Sequence, residues 1–519
     1  MLPSRSVLIA AAALALLSLP ACQKQPLAQT PFDVVDASVL DMQAALKEGR
    51  VTSRQLVDAY LARIQQYDGS LKSIISLNPH ARDDADRLDR ERAQGKVRGP
   101  LHGIPLVVKD NIDFAGGMPN TAGSLALTKN IPARDAPLVR GLIDAGAIIL
   151  GKSNLSEWAN IRSDFSSSGW SAVGGLARNP YATDRTACGS SSGSGVAVAA
   201  SLAAAAIGTE TDGSVTCPAA ITGLVGLKPT VGLVSRTGII PISHVQDTAG
   251  PMARTVPDVA AILTAIAGAD PADAATRDAN THRADYTQGL NPAALKGARL
   301  GVLRFHTGKS PPTDKVFEAA LEALRARGAV LVDIKTFEFG DLGKLELLCL
   351  LTELKVDLNA YLKNAPAAVQ TRTLADVIAF NRGEPRELAP FGQDLFEQAE
   401  ATKGLDDPEY LKARATLQQS AGPDGIDRLL RENNVVALIA PTTGPAWTID
   451  LINGDHGGGS STQLPAVSGY PHLTVPMGQV EGLPVGLSFM GPAWSEPLLL
   501  SLGYAYEQAT HARKPPVLH

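Results

Sequence analysis

The sequence predicts an α/β fold in which a large sheet is layered with helices. Three observations predict it. Short apolar runs of strand length alternate with helical stretches between Gly99 and Leu150, the same alternation returns after Gly297, and two late runs, His472–Gly478 and Pro484–Gly491, read as paired strands. A length of 519 residues would allow several domains. No internal repeat or long linker divides the chain, however, so one domain over residues 32–519 is expected.

Taken in order, the first element is a processing signal. Arg5 precedes an apolar run from Val7 to Leu19, too short for a membrane-spanning helix and of the length of a secretory h-region. Residues 1–21 therefore read as a signal peptide and the protein as exported, periplasmic or associated with the outer envelope. The sequence LPAC resembles a lipoprotein box with Cys22 as the lipid-bearing residue, and ordinary cleavage near this point is the alternative. Residues 22–31 form a tether. Ala37–Gly49 and Ser53–Gln66 repeat apolar residues at helical spacing, the second after the capping pair Thr52-Ser53, and Pro79–Gly95 is an Asp/Arg-rich surface helix. Together they make a helical N-terminal arm.

Ile104–Lys109 and Ala147–Leu150 are strands, with a helix at Pro137–Asp144 between them. From Gly174 to Gly250 the chain is dense in Gly, Ser, Ala and Thr, and Val196–Ala206 (VAVAASLAAAA) is expected to be a helix buried on all sides. Ala298–Phe305 and Ala329–Ile334 are strands flanking a helix at Val316–Arg327. Residues 345–435 are mostly helical and read as an insertion or cap, and Asn434–Thr443 is a buried strand.

Composition excludes several classes. A hydrophobic content of 45% and a formal charge of −5 fit neither a disordered chain nor a basic nucleic-acid binder. The 48 glycines and 35 prolines exceed the usual shares of about 7% and 5%, which points to many tight turns and close backbone approaches. With Cys22 set aside, Cys188, Cys217 and Cys349 can form at most one pair. No CxxC or HExxH occurs and the histidines are scattered, so no metal site is expected.

Two motif matches fail on physical grounds. GAIILGKS (146–153) fits the P-loop pattern, but its central AIIL is itself a strand and not a flexible phosphate cradle. GSSSG (189–193) fits the nucleophile elbow, yet the residues before it, NPYATDRTAC, are turn-prone and not a buried strand.

Three other segments carry chemistry together. Lys109 ends an apolar strand, CGSSSGSG (188–195) leads into small apolar residues, and GTETDGSVTCPA (208–219) places Ser214 after Asp212-Gly213. A serine hydroxyl needs a base to become a nucleophile, and a lysine removed from water can lose its charge near neutral pH. Gly213 lets backbone N–H groups approach a substrate carbonyl, as an oxyanion hole requires.

These segments resemble the amidase signature family of Ser-Ser-Lys hydrolases. The likeness continues through GKSNLSEWAN (151–160), QDTAGPMAR (246–254), APTTG and LPVGLSFMG, and so covers nearly the whole mature chain. Within the family, GTETDGS and PFGQDLF (390–396) look most like the bacterial peptide amidases. The resemblance implies a large mixed central sheet with helices on both faces. It also implies that Ser214 is the nucleophile, that Ser190 bridges after a cis peptide bond from Gly189, and that Lys109 is the base. The amides of Thr211, Asp212, Gly213 and Ser214 would hold the oxyanion, with Ser191 and Thr209 orienting the lysine and serines. Cys188 and Ser192 stand where many relatives have glycine, and Asp212 where several do. The implied activity is hydrolysis of a peptide's C-terminal amide by a monomer, with no cofactor, metal or nucleic acid. A broader aryl or aliphatic amidase is the alternative. The glutaminase subunit of a tRNA-dependent amidotransferase is a further one, against which the export signal argues.

Overall fold

Eleven strands drawn from most of the chain hydrogen-bond into one mixed sheet in this computed structural model, which describes residues 32–518. The expected signal peptide, Cys22 and tether lie outside the described residues. In chain order the first elements are helices α1 (Val39–Lys47) and α2 (Ser53–Leu71), strand β1 (Ile74–Leu77), helix α3 (Ala81–Ala93), strand β2 (Pro105–Lys109), helix α4 (Pro137–Asp144) and strand β3 (Ile148–Ser153). A small hairpin, β4 (Trp170–Ser171) and β5 (Gly175–Leu176), follows. The small-residue region supplies α5 (Ser192–Ala199), β6 (Ala205–Glu210), α6 (Thr216–Ile221), β7 (Val225–Lys228) and β8 (Thr248–Ala253). Helices α7 (Val256–Ile266) and α8 (Ala279–His282), strand β9 (Arg299–Leu303), helix α9 (Pro311–Ala326) and strand β10 (Val330–Ile334) come next.

The cap is then built by α10 (Leu342–Lys363), α11 (Leu374–Gly383), α12 (Pro385–Leu388), α13 (Asp394–Glu400), α14 (Pro408–Ala421) and α15 (Asp427–Asn433). The chain closes with β11 (Ala437–Pro441), α16 (Gln463–Ser468), β12 (His472–Val480), β13 (Leu483–Met490) and α17 (Glu496–Thr510). The strand order is β1-β3-β2-β6-β8-β7-β12-β13-β11-β9-β10. β12 and β13 pair antiparallel, as their sequence pattern predicts.

Helices cover both faces, and the two-residue period of β12 shows how. Leu473 and Val475 face Gly503 of α17, whereas Thr474 points with Gly226 of β7 toward Ala219 of α6. A methyl added at Gly503 would stand 2.5 Å from Leu473, and one at Gly226 would stand 2.5 Å from Ala219, so glycine permits close helix contact on each side.

One expected element is corrected. The run from Val196 to Ala206 is not a single helix: α5 ends at Ala199, and Ala205 and Ala206 already belong to β6. Ser201 takes a left-handed φ of 55°, and Arg63 donates to the carbonyls of Ala200 (2.9 Å) and Ser201 (2.7 Å). Arg254 binds the carbonyls of Ala203 (2.8 Å) and Ala204 (2.7 Å), so distant arginines satisfy the backbone where the helix stops. Both rejected motifs are also explained. Lys152 and Ser153 of GAIILGKS lie inside β3, and among the described residues no strand leads into Ser190.

Candidate active site

Three adjacent strands, β3, β2 and β6, run parallel, so their C-terminal ends come together at one edge of the sheet. In such an arrangement side chains at the strand ends converge on the crevice beyond them. Lys109 ends β2, Ser153 ends β3, and Thr209 and Glu210 end β6.

Lys109 is fully buried. Its Nζ lies 2.7 Å from Ser190 Oγ, 2.9 Å from Thr209 Oγ1 and 3.2 Å from the Thr209 carbonyl oxygen. Burial lowers its pKa to about 7, against the opposing pull of the Asp247 and Glu210 carboxylates. A substantial fraction of this amine is therefore neutral near neutral pH and able to accept a proton. Thr209 is fixed in turn by Asn111, whose Nδ2 donates to Thr209 Oγ1 at 3.0 Å. Ser191 donates from Oγ to the Thr209 carbonyl (3.1 Å) and accepts from the Thr209 N–H (3.2 Å). Lys109, Ser191 and Thr209 thus share one hydrogen-bond network.

The peptide bond between Gly189 and Ser190 is cis. Ser156 packs against this loop, its N–H donating to the Ser190 carbonyl at 3.0 Å, and a Cβ at residue 189 would stand 2.1 Å from Ser156 Oγ. A side chain at 189 would displace the Ser156 hydroxyl.

Ser214 is brought to the same place through the backbone, since its carbonyl accepts from the Ser191 N–H at 3.1 Å. Among the described residues no hydrogen bond joins its hydroxyl to Ser190. The turn carrying it is built by Glu210, a residue whose role the sequence reading missed. Glu210 accepts the N–H groups of Val215 (2.7 Å) and Thr216 (2.8 Å) and so anchors the start of α6. Gly213 has a φ of 77°, which favours glycine. The N–H groups of Thr211, Asp212, Gly213 and Ser214 donate to no protein acceptor among the described residues. They form a run of free donors that ends at Ser214.

The carbonyl and hydroxyl of Thr211 are tied down by two more residues that the motif reading did not assign. Its Oγ1 donates to Asp247 Oδ1 at 2.6 Å, and its carbonyl accepts from Gln246 Nε2 at 3.4 Å. Gln246 also donates to Glu346 of α10 at 2.9 Å, and Glu346 accepts from Gln463 of α16 at 2.9 Å. The cap therefore reaches the donor row through one glutamine. Asp212 is partly buried and its Oδ1 has no partner. Burial, with the nearby Glu346 charge, raises its pKa well above the ordinary value. At the end of β7, the buried Lys228 has its pKa lowered by burial to about 8 and donates to the Pro229 carbonyl at 3.2 Å.

The single cysteine pair allowed by the count is formed between Cys188 and Cys217, with Cα atoms 6.1 Å apart, and Cys349 is free and buried. No group of three or more metal-ligating side chains occurs among the described residues.

A family model for amidases matches residues 55–500. The chain belongs to the amidase family. It is an amide-hydrolysing enzyme. Peptide amidase from Stenotrophomonas maltophilia superposes with a TM-score of 0.89 at 52% identity, covering 94% of this chain and all of that one. A probable amidase of Arabidopsis thaliana is 39% identical over 93% of this amidase and 92% of its own length. A glutamyl-tRNA(Gln) amidotransferase subunit from Halorhodospira halophila is 34% identical over 92% of this chain and 98% of its own.

Proposed function

We propose that this amidase removes the C-terminal amide of peptides, R–CO–NH2 + H2O giving R–COOH + NH3, through an acyl-enzyme on Ser214. The observation that carries the mechanism is the buried Lys109 amine, 2.7 Å from Ser190 and beside four free backbone donors. Ser214 Oγ attacks the carbonyl carbon while its proton passes through Ser190 to the neutral amine of Lys109. The carbonyl oxygen gains the negative charge, and the amides of residues 211–214 receive it. The proton returns through Ser190 to the departing nitrogen, ammonia leaves, and water cleaves the ester by the same route. Hydrogen bonds of this kind tighten when substrate binds. The link from Ser214 to Ser190 is the one the substrate complex completes.

The 52% identity to a peptide amidase supports peptide amides as the substrate class. A second reading, the glutaminase role, has support in the 34% identity to an amidotransferase subunit. The apolar segment before Cys22 argues for export instead, and the Cys188–Cys217 bridge supports an oxidising compartment. Lipidation at Cys22 belongs to the same proposal.

The test is ammonia release from amidated dipeptides, free glutamine and simple aryl amides, with Ser214→Ala as control. Release is expected from the dipeptide amides, with kcat lowered by about 10^4-fold or more in the variant. Release from glutamine alone would overturn the substrate assignment, and an active Ser214→Ala variant the mechanism.

A further inference from the structure

The Cys188–Cys217 disulfide joins the two segments that the proposed chemistry must bring into line. Cys188 stands two residues before Ser190, and Cys217 stands three residues after Ser214. Two hydrogen bonds span this gap upstream of Ser214, where Ser191 Oγ donates to the Thr209 carbonyl at 3.1 Å and accepts from the Thr209 N–H at 3.2 Å. The backbone bond from Ser191 to the Ser214 carbonyl crosses it once, at 3.1 Å, and no hydrogen bond joins the two serine hydroxyls among the described residues. Lys109 also ties the two segments, through Ser190 and Thr209, but Ser214 itself lies on the turn that Glu210 anchors at the start of α6.

The backbone at Cys188 adds a second observation. Its φ is 52°, a left-handed conformation in which glycine is favoured over residues with a Cβ. A side chain is present here despite the backbone preference, and what it does is reach across to Cys217. The bridge packs with Ile221 and Ala446 and under the partly buried Trp447 and Leu483, and Trp447 is held by a hydrogen bond from Nε1 to Asp455 (3.1 Å). Ser192 Oγ donates to the Cys188 carbonyl, which fixes the loop on its inner side.

We infer that Cys188 and Cys217 are positioning residues for the reaction: the covalent bridge sets the approach of Ser214 to Ser190 and keeps the free donor row facing the substrate's carbonyl oxygen. This rests on the assignment of Ser190 and Ser214 made above. The physical reason is the steep dependence of attack on geometry, where a displacement of about 1 Å costs on the order of 10²-fold in rate. Reduction by a dithiol breaks the S–S bond by thiol–disulfide exchange, leaving two protein thiols and the reductant as its own disulfide. The β-sheet, held by its own ladders, remains.

The experiment compares oxidised enzyme, dithiothreitol-reduced enzyme and the C188G/C217A double variant, which removes the bridge with a residue suited to the backbone at 188. Ammonia release from an amidated dipeptide is measured at a temperature where far-ultraviolet circular dichroism of all three is the same. Serine labelling by a fluorophosphonate is followed in parallel. The expected result is a kcat lowered at least tenfold in both unbridged forms, KM within about twofold, slower labelling, and recovery on reoxidation of the reduced wild type only. Should the double variant fail to fold, the reduced wild type, with two thiols confirmed by titration, carries the comparison. A folded, unbridged enzyme with unchanged kcat overturns the inference and leaves a fold staple. Retained activity in S190A and S214A overturns instead the assignment beneath it.

Discussion

The surroundings of Lys109 disfavour its charged form, and this has consequences for both rate and stability. Burial lowers the amine from 10.5 to about 7. With Lys109 as the proposed base, kcat/KM is expected to rise with pH through about 7 and then level off in a pH–rate profile. For stability, the unfolded chain holds this proton up to about 10.5 while the folded one releases it near 7. The lysine's contribution therefore grows more favourable as pH rises across that window, and its cost is complete below it. Lys109→Met is expected to lose about 10²–10⁴-fold in kcat while gaining more in Tm at pH 6 than at pH 9. Equal Tm changes at both pH values would contradict the low pKa. Asp212 presents the mirror case. Its raised pKa means the unfolded carboxyl ionises at lower pH than the folded one, so this group costs stability as pH rises above the ordinary carboxylate value. Asp212→Asn keeps the shape and is expected to stabilise the protein at neutral pH by on the order of 1 kcal/mol, read as an increase in Tm that vanishes toward pH 3. A lower Tm at neutral pH would show that the ionised carboxylate is held favourably.

At the scale of elements, the turn between β6 and α6 concentrates the site's demands. It needs a left-handed residue at 213, four free N–H groups and an anchored helix start, and Glu210 supplies the anchor from the strand itself. Gly213→Ala would force a side chain into positive φ, with its Cβ 3.2 Å from Thr462 Oγ1. With these amides as the proposed oxyanion donors, the expected outcome is a fall in kcat of about 10²-fold with little change in KM. A rise in KM alone would indicate that the turn binds the ground state instead. Most strands and helices were legible from spacing, including β2, β3, β12 and β13. The stretch at 196–206 was not, because a run of alanine and valine satisfies the helical and the buried-strand pattern equally. Its division into α5 and β6 depends on Arg63 and Arg254, which arrive from other parts of the chain.

For the molecule as a whole, the helical cap expected at 345–435 is seated by a buried charge cluster. Arg162 is fully buried, donates to Glu157 Oε1 at 2.8 Å, and stacks over Phe391 and Trp170 at 4.3 and 5.3 Å. Glu387 of α12 receives Ser124 Oγ at 3.0 Å and the Leu125 N–H at 2.6 Å, completing the junction. Arg162→Met leaves two buried carboxylates without their cation and is expected to cost about 3–5 kcal/mol, measured by denaturant unfolding. A loss below about 1 kcal/mol would show that aromatic packing, not charge, seats the cap. By itself the sequence determined the α/β layering, the end of β2 at Lys109 and the three segments bearing Lys109, Ser190 and Ser214, because strand periodicity and short motifs are written in neighbouring residues. The tertiary structure alone decided that the Cys188 and Cys217 thiols meet, that Gln246 and Glu346 join the cap to Thr211, and that Glu210 anchors the Ser214 turn. The Cys188–Cys217 and Gln246–Glu346 contacts depend on how separate segments pack, and that of Glu210 on the direction its side chain takes at a strand end, neither of which hydrophobic spacing along the chain encodes.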